Sequence, residues 1–270
     1  MKICFVGGGN MASAIIGGLL EAEYVQPEKL RVVEIDADSR DRLQREFGVQ
    51  ATTELAQGVE GSEVVVLAVK PQQLREVAAQ LAPLLKGQLV VSIAAGVRAA
   101  DLGQWLNSRN VVRAMPNTPA LIRKGVTGLY ALKGVCLGHK AIANKILDAI
   151  GKSVWLDDET QMDALTAVSG SGPAYVFYFI EAVQQAGREL GLTEEKSREL
   201  ALETFAGAAE LAKTGNDDVS TLRAKVTSKN GTTERALLSM EADQVRQHIV
   251  KAVHAAAERS KEMGDELGGN

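Results

Sequence analysis

A glycine-rich turn between a short apolar run and a run of small residues constrains this chain more than any other feature. The apolar residues 3–6 predict a buried strand, and the small residues from position 10 onward predict a helix. Between them, Gly7, Gly9 and Ala12 form the G-x-G-x-x-A pattern of dinucleotide-binding folds. A strand, a tight turn and a helix in this order predict the start of a doubly wound α/β sheet.

Each small residue of this turn has a physical role. Gly7 permits the sharp turn off the strand, Gly9 leaves room for the main chain to approach a pyrophosphate, and Ala12 lets the helix lie close to the strand. The helix N-terminus offers unpaired N–H groups and the positive end of its dipole to phosphate. A purely structural glycine turn is the alternative, but the strand–helix context favours a dinucleotide site.

Acidic residues close the second predicted strand, residues 30–36. An acid about 20 positions beyond the glycines commonly binds the adenosine ribose hydroxyls of NAD, and Glu34 and Asp36 are the candidates. An arginine in the same turn would instead favour the 2′-phosphate of NADP. Arg40 and Arg42 follow on the next predicted helix, where they could also be solvated charges. The choice between NADH and NADPH stays open, and the acids favour tolerance of NADH.

The third long apolar run, residues 63–69, fits an interior parallel strand that is covered on both faces. Pro71 is well placed to begin a helix, because the N–H that it lacks would be unpaired there. Lys70 stands at the carboxyl end of the strand, where open α/β sheets bind ligands. A solvated loop charge is the alternative for Lys70.

Strands and helices continue to alternate up to residue 156, which predicts a Rossmann-like, doubly wound parallel sheet. The further predicted strands are residues 89–95, 111–115, 125–132 and 153–156, and the further helices are residues 99–107 and 140–150. Between two of these strands, Pro116 and Pro119 stiffen a loop that carries Asn117 and Thr118.

Beyond residue 160 the sequence predicts helices and no strand. The predicted helices are residues 162–190, 194–214, 219–224, 232–240 and 243–267. We therefore expect a dinucleotide-binding domain over residues 1–160 and an all-α domain over residues 161–270. The first of these helices is apolar nearly all round at residues 174–180, which requires burial on most faces. A partner subunit is the expected cover.

Two glycine-containing stretches of the helical half are candidate sites. Residues 169–173 read Ser-Gly-Ser-Gly-Pro within a predicted helix, where glycine and proline cost about 1 and 3 kcal/mol relative to alanine. Such residues indicate close approach by another helix or by a cofactor ring. Residues 227–234 form a polar loop that opens a helix and predict an anion cradle. An ordinary helix start capped by Thr232 or Thr233 is the alternative.

The formal net charge of −4 gives no basic surface for nucleic acid. Cys4 and Cys136 make neither a disulfide framework nor a metal-ligand spacing, and the three histidines are scattered, so we expect no metal site. No stretch reaches the ~18 apolar residues of a membrane span, and no leader precedes the first strand. These features predict a cytoplasmic protein that binds no membrane.

Five segments resemble the pyrroline-5-carboxylate reductase family, and the resemblance runs from end to end. They are residues 5–12, 68–72, 115–119, 169–175 and 226–237. The last segment resembles the family's signature and is the most specific. The resemblance implies reduction of Δ1-pyrroline-5-carboxylate to L-proline with NADPH or NADH, the last step of proline biosynthesis. It also implies homodimers with interlocked helical domains, sometimes assembled into higher oligomers.

The resemblance also implies roles for individual residues. Those matching the phosphate loop are Gly7, Gly9, Asn10, Met11 and Ala12. Those matching the nicotinamide side are Ala68, Lys70, Pro71 and Asn117. Those matching the substrate site are Pro173, Ser228, Thr232 and Thr233. In that site, main-chain N–H groups and hydroxyls are expected to hold the substrate carboxylate, and Thr233 to hydrogen-bond the ring nitrogen.

The chain departs from the family pattern in two places. The family often has Asn-Arg-Ser/Thr after the second strand, where this chain has Glu34, Ile35 and Asp36, which argues against a strong NADPH preference. Asn230 stands where a second glycine is usual, and asparagine tolerates a left-handed backbone better than most residues.

Two other functions are compatible with the predicted fold. A β-hydroxyacid dehydrogenase shares the two-domain plan, but such enzymes resemble one another in carrying a lysine after the glycines of the first long helix. Residues 174–178 contain no lysine to act as general base. A non-catalytic nucleotide-sensing protein would have no need of the substrate group formed by Ser228, Thr232 and Thr233.

Overall fold

The computed structural model describes residues 1–268 and divides the chain into two compact units. The first unit combines Met1–Ser171 with the chain from Ala256 onward, and the second is Gly172–Ala255. The domain boundary that the sequence suggests after residue 160 stays a prediction.

The first unit is built on an eight-stranded sheet with the strand order β3-β2-β1-β4-β5-β6-β7-β8. The strands are β1 (Ile3–Val6), β2 (Leu30–Val33), β3 (Gln50–Thr52), β4 (Val64–Leu67), β5 (Leu89–Ser92), β6 (Val111–Met115), β7 (Gly125–Ala131) and β8 (Gly151–Trp155). The order reverses at β1, which lies between β2 and β4. Open α/β sheets bind ligands beyond the carboxyl ends of the strands at such a reversal.

Helices connect these strands. They are α1 (Asn10–Glu21), α2 (Ala37–Phe47), α3 (Leu55–Val59), α4 (Pro71–Leu81), α5 (Ala99–Trp105), α6 (Leu137–Asp148) and α7 (Gln161–Leu165). The predicted Rossmann-like class is confirmed. Neither β3 nor α3 could be predicted from the sequence, because a three-residue edge strand and a five-residue helix are too short to show periodicity.

The sheet is parallel except for one pair. β6 and β7 run antiparallel, with Met115 opposite Gly128, so the expectation of parallel strands throughout is wrong here. The short connection from Met115 to Gly125 explains the difference, because a parallel crossover needs about a dozen residues or more. That connection contains Pro116, Pro119 and a 3-10 turn at Thr118–Ile122.

Two apolar clusters cover the sheet, as the buried strands predict. Ile3 and Phe5 of β1 belong to one cluster with Ile15 of α1. Cys4 and Val6 belong to the other, which includes side chains of α4. Burial raises the pKa of the Cys4 thiol to about 12, whereas Cys136 is exposed and caps α6 through the His139 N–H.

A buried ion pair lies beside this core. Arg113 of β6 is 5% exposed, and its Nη1 donates to Glu159 at 2.9 Å. The same carboxylate oxygen accepts the Ala99 N–H at the start of α5 at 2.6 Å. Glu159 therefore makes structural contacts within the first unit.

The second unit is helical. It contains α8 (Gly172–Glu189), α9 (Glu194–Thr214), α10 (Val219–Lys225), α11 (Thr232–Ala242) and the first half of α12 (Val245–Gly268). Apolar side chains of α8 are exposed, including Val176 (45%), Phe177 (58%) and Tyr178 (72%). Within the second unit, these side chains of α8 are left uncovered, so a cover for this helix is still required, as the sequence predicts.

The single helix predicted over residues 162–190 is wrong. A π-helical turn at Thr166–Gly170 separates α7 from α8, and the Ser171 N–H donates across it to the Thr166 carbonyl at 2.8 Å. Pro173 lies in the first turn of α8, where a missing N–H costs little. π-Turns inside helices occur frequently at functional sites.

Within residues 1–268, none of the helices combines the length and apolarity that a membrane crossing needs. Across the same residues, no group of three or more His, Cys, Asp and Glu side chains could hold a metal ion.

Candidate active site

The glycine loop turns off β1 against the ends of its two neighbouring strands. The Gly7 N–H donates to the Val33 carbonyl at the end of β2 at 2.8 Å. Gly7 has a φ of +99°, and a Cβ there would lie 2.6 Å from the Ala68 carbonyl oxygen. Glycine is therefore required at position 7 by the backbone and by packing, as the motif predicts.

Gly9 has a different basis. It is the N-terminal cap of α1 with extended backbone (φ −70°), and no side chain caps this helix. Among the described residues, no atom lies within 4 Å of a Cβ built on Gly9. Packing of the chain does not require glycine here, so the open space fits a pyrophosphate beside the unpaired first-turn N–H groups. Ala12, 1% exposed, packs where the helix meets the sheet.

A cleft of about 570 Å³ lies in front of this loop. Its lining includes six of the residues predicted to bind the cofactor, which are Gly7, Gly9, Glu34, Asp36, Ala68 and Lys70. The other predicted residues, Asn10, Met11, Ala12, Pro71 and Asn117, are not part of the lining. Sequence reasoning missed other lining residues, which include Gly8, Ile35, Ser39, Gln73 and Val77. Ile35 is 79% exposed, which is unusual for isoleucine.

Glu34 is held by the main chain at the end of β2. Its Oε2 accepts the Gly8 N–H at 2.8 Å, and its Oε1 accepts the Asp36 N–H at 3.0 Å. Asp36 caps α2, with its Oδ2 accepting the Ser39 N–H at 2.8 Å. Hydrogen bonds to Ser39 hold the pKa of the Asp36 carboxyl below its ordinary value of 3.8. Both acids are placed at the cleft, as predicted.

Two of the three arginines of α2, Arg40 and Arg42, bond to main-chain carbonyls beside the cleft. Arg40 donates through Nη1 to the carbonyls of Glu34, at 2.9 Å, and of Ile35, at 2.8 Å. Arg42 donates through Nη2 to the Gly8 carbonyl at 3.0 Å. Both guanidinium groups therefore stabilise the loops that border the cleft.

Lys70 and Pro71 begin α4 as the sequence predicts. Pro71 occupies the first helical turn and Lys70 caps the helix with extended backbone. The Lys70 side chain is exposed and lines the cleft, so a solvated loop charge and a ligand contact both remain consistent with its position.

Asn117 is a buried connector in this structure. Its Nδ2 donates to the Ser169 carbonyl at 3.1 Å, and its Oδ1 accepts the Val126 N–H at 2.9 Å. The amide therefore joins the π-turn to the start of β7. The proline-stiffened loop positions this side chain.

The two glycines of the Ser-Gly-Ser-Gly-Pro stretch have different surroundings. A Cβ on Gly170 would lie 2.9 Å from Cε of Met115. The group that closely approaches Gly170 is therefore a methionine side chain of β6. Among the described residues, nothing lies within 4 Å of a Cβ on Gly172. Gly172 opens α8 and precedes Pro173.

In the second unit, the start of α11 brings together three of the four predicted substrate residues, Ser228, Thr232 and Thr233. Gly231 is the cap residue, which corrects the alternative of a threonine cap, and Thr232 and Thr233 are the first two helical residues. Asn230 adopts the left-handed conformation with φ +59°, which confirms that asparagine can replace glycine here. The Asn230 N–H donates to Glu234 Oε2 at 2.7 Å.

Hydroxyls surround this helix start. The Gly231 N–H donates to the Ser228 carbonyl at 3.1 Å, which folds the loop back on itself. Ser228 and Thr232 are exposed and Thr233 is half-buried. No side chain caps the helix among the described residues. Unpaired N–H groups beside hydroxyls can bind a small carboxylate and place a hydroxyl next to a polar atom of the same molecule.

Two family models match separate parts of this chain. A family model described as pyrroline-5-carboxylate reductase dimerisation matches residues 159–263. Another, described as NADP oxidoreductase, coenzyme F420-dependent, matches residues 2–96. The pyrroline-5-carboxylate reductase of Pseudomonas aeruginosa is 45% identical over 269 residues, which are 99% of this chain and 98% of that protein.

Solved structures give the same result. A pyrroline-5-carboxylate reductase from Coxiella burnetii superposes with a TM-score of 0.92 at 41% identity, covering 97% of this chain and 98% of that one. A Plasmodium falciparum pyrroline carboxylate reductase with NADP bound superposes with a TM-score of 0.88 at 32% identity, covering 98% of both chains.

Proposed function

The chain belongs to the pyrroline-5-carboxylate reductase family, and we propose that it reduces Δ1-pyrroline-5-carboxylate to L-proline with NAD(P)H. Relatives that carry this name match it over nearly the full length. One observation supports this proposal at the level of residues. At the start of α11, the hydroxyl residues Ser228, Thr232 and Thr233 accompany helix N–H groups that no side chain caps. A dinucleotide sensor has no need of such a second site.

We assign the cofactor to the cleft of the first unit. The first-turn N–H groups of α1, at Asn10, Met11 and Ala12, and the open space at Gly9 suit the pyrophosphate. Glu34 and Asp36 border the adenosine end. On the nicotinamide side we place Ala68, Lys70, Pro71 and, as a buried connector, Asn117. When bound, the reduced nicotinamide supplies a hydride to the C=N bond.

We assign the substrate to the start of α11, with Pro173 as a further predicted contact. The N–H groups and hydroxyls of Ser228 and Thr232 would hold the carboxylate, and the Thr233 hydroxyl would bond the ring nitrogen. The pyrroline imine can arrive from water as its cation, so a strong protein acid is not required. Positioning and electrostatic stabilisation then supply most of the rate enhancement.

We further propose that the helical region, residues 161–270, forms the homodimer and can support a higher oligomer. The exposed apolar residues of α8 and the match to a dimerisation family model support self-association. A cytoplasmic location and the absence of nucleic-acid partners stay predictions from the sequence.

The test is oxidation of reduced nicotinamide by the purified full chain, followed by absorbance, with pyrroline-5-carboxylate as substrate. We expect rapid oxidation and formation of proline. A parallel assay with a β-hydroxyacid and NAD⁺ tests the dehydrogenase alternative, for which we expect no turnover. Protein that binds NADH or NADPH yet oxidises neither in the presence of pyrroline-5-carboxylate would refute the proposed function.

A further inference from the structure

We propose that Glu34 makes the protein select NADH over NADPH. The inference rests on the reductase function proposed above and concerns the adenosine end of the same cleft. The two cofactors differ by one phosphate on the 2′ oxygen of the adenosine ribose. Selection between them therefore depends on the groups that face that oxygen.

Glu34 occupies the place where this oxygen is recognised in dinucleotide-binding folds. It directly follows β2, and the ribose of a bound dinucleotide lies at the end of the second strand. Glu34 lines the cleft together with Asp36 and Ser39, on the β2 side of the glycine loop. The dinucleotide motif thus brings the ribose to this carboxylate.

The orientation of the Glu34 carboxylate is fixed by the chain itself. Each of its oxygens accepts one main-chain N–H, from Gly8 at 2.8 Å and from Asp36 at 3.0 Å. A carboxylate can accept about four hydrogen bonds, so about two acceptor positions stay available for the ribose hydroxyls. A diol can donate to them, whereas a phosphate group brings only more acceptors and negative charge.

The neighbouring charges add to this selection. Asp36 provides a second carboxylate at the cleft, and hydrogen bonds from Ser39 hold its pKa below the ordinary value of 3.8. A 2′-phosphate would add about −1.5 to −2 charge beside two carboxylates.

Arg40 and Arg42 of α2 hydrogen-bond to the main chain of the loops beside the cleft. Arg40 Nη1 is shared between the carbonyls of Glu34 and Ile35. Arg42 donates to the Gly8 carbonyl and to Ser13 Oγ, and it forms an ion pair with Glu46 at 3.3 Å. Lys70 lines the cleft at the end of β4, on the opposite side of β1 from β2.

The experiment measures the affinities of NADH and NADPH by isothermal titration calorimetry, which needs no turnover. We expect the wild-type protein to bind NADH about tenfold more tightly or better. Glu34→Gln keeps the side-chain shape without the charge and should reduce that ratio about fivefold or more, chiefly by tighter NADPH binding. Asp38→Asn removes an exposed charge from the same helix start outside the cleft, and it should leave the ratio unchanged.

Glu34→Asp retains the charge and serves as a second variant, which should keep the NADH preference. A wild-type preference for NADPH, or an unchanged ratio in Glu34→Gln, would overturn the inference. Weaker binding of NADPH alone in Arg40→Gln would also overturn the inference, because a cation would then determine the selection between NADH and NADPH. Protein with the expected affinities but no turnover of pyrroline-5-carboxylate would refute the reductase function and leave this inference standing.

Discussion

The starts of α1 and α11 use the same device for two different ligands. Each helix begins with a glycine cap, and neither has a side chain that bonds its first N–H groups. By contrast, α2, α9 and α10 are capped by the side chains of Asp36, Thr193 and Asp218. A side-chain cap satisfies part of a helix's first N–H groups, whereas the starts of α1 and α11 keep those donors available for a ligand.

The difference between the two starts lies in what accompanies the N–H groups. The first turn of α1 contains no acid and no hydroxyl at Asn10, Met11 or Ala12, so it suits a purely anionic pyrophosphate. The first turn of α11 contains two threonines and Glu234. Such a mixture suits a ligand with a carboxylate and a cationic nitrogen, as in the protonated pyrroline. The accompanying side chains therefore decide which ligand an uncapped helix start accepts.

The largest effect is expected from Thr233→Ala, which removes a hydroxyl from α11 and nothing from α1. We expect kcat/KM for pyrroline-5-carboxylate to fall about 100-fold, because the hydroxyl that bonds the reacting nitrogen is lost. Cofactor affinity should not change. Steady-state kinetics test this result, with Thr233→Ser as the variant that restores the hydroxyl and Ser239→Ala as a control on the same helix. Equal loss in all three variants would exclude a specific role.

Gly9→Ala tests the α1 half of the comparison. A methyl group at position 9 meets no protein atom within 4 Å among the described residues, so we expect an unchanged melting temperature. Cofactor affinity should weaken about tenfold, about 1.4 kcal/mol, because the methyl group occupies pyrophosphate space.

Gly7→Ala is the matched variant for Gly9→Ala. Its positive φ and the 2.6 Å approach to the Ala68 carbonyl predict a melting temperature lower by several degrees. Differential scanning calorimetry and cofactor titration separate the two outcomes. If both variants lose stability equally, Gly9 is structural and the α1 assignment fails.

Asn230 tests the loop geometry of α11. Asn230→Ala should destabilise the protein by about 1 kcal/mol, because alanine lacks asparagine's tolerance of the left-handed region. The free energy of unfolding of Asn230→Gly should be equal to or higher than that of Asn230→Ala. Urea unfolding of both variants provides the measurement. A more stable alanine variant would contradict the backbone conformation described here.

The smallest effect concerns a capped helix. Hydrogen bonds from Ser220 and Thr221 lower the pKa of Asp218 below 3.8. A lowered folded-state pKa contributes stability above 3.8, and that stability is lost as the pH falls through the lowered value. Asp218→Ala should therefore lower the urea midpoint slightly at pH 7 and make it less sensitive to acid below pH 4. An unchanged acid dependence would show that the cap contributes nothing.

The parts of the site that depend on neighbouring residues could be predicted from the sequence. The turn at Gly7 is set by its local backbone requirement, and the left-handed position of Asn230 follows from its spacing before α11. Contacts across the fold could not be predicted in this way. The hydrogen bond from Gly8 to Glu34 joins residues 26 positions apart, and only the pairing of β1 with β2 brings them together.

The interruption of the long helix was also beyond sequence periodicity. Thr166–Gly170 continues the apolar pattern of its neighbours, and the five-residue spacing of a π-turn differs from an α-helix by one residue. The buried pair of Arg113 and Glu159 was missed because charged residues normally predict surface.

The two thiols differ in exposure and should therefore react with a thiol reagent at different rates. Exposed Cys136 can react with a maleimide dye in the folded protein, whereas Cys4 in β1 is buried and fully protonated at neutral pH. Labelling of Cys4 requires the central strand to leave the sheet. The delay between labelling of Cys136 and labelling of Cys4 therefore measures how slowly the dinucleotide-binding sheet opens. A bound cofactor should lengthen that delay.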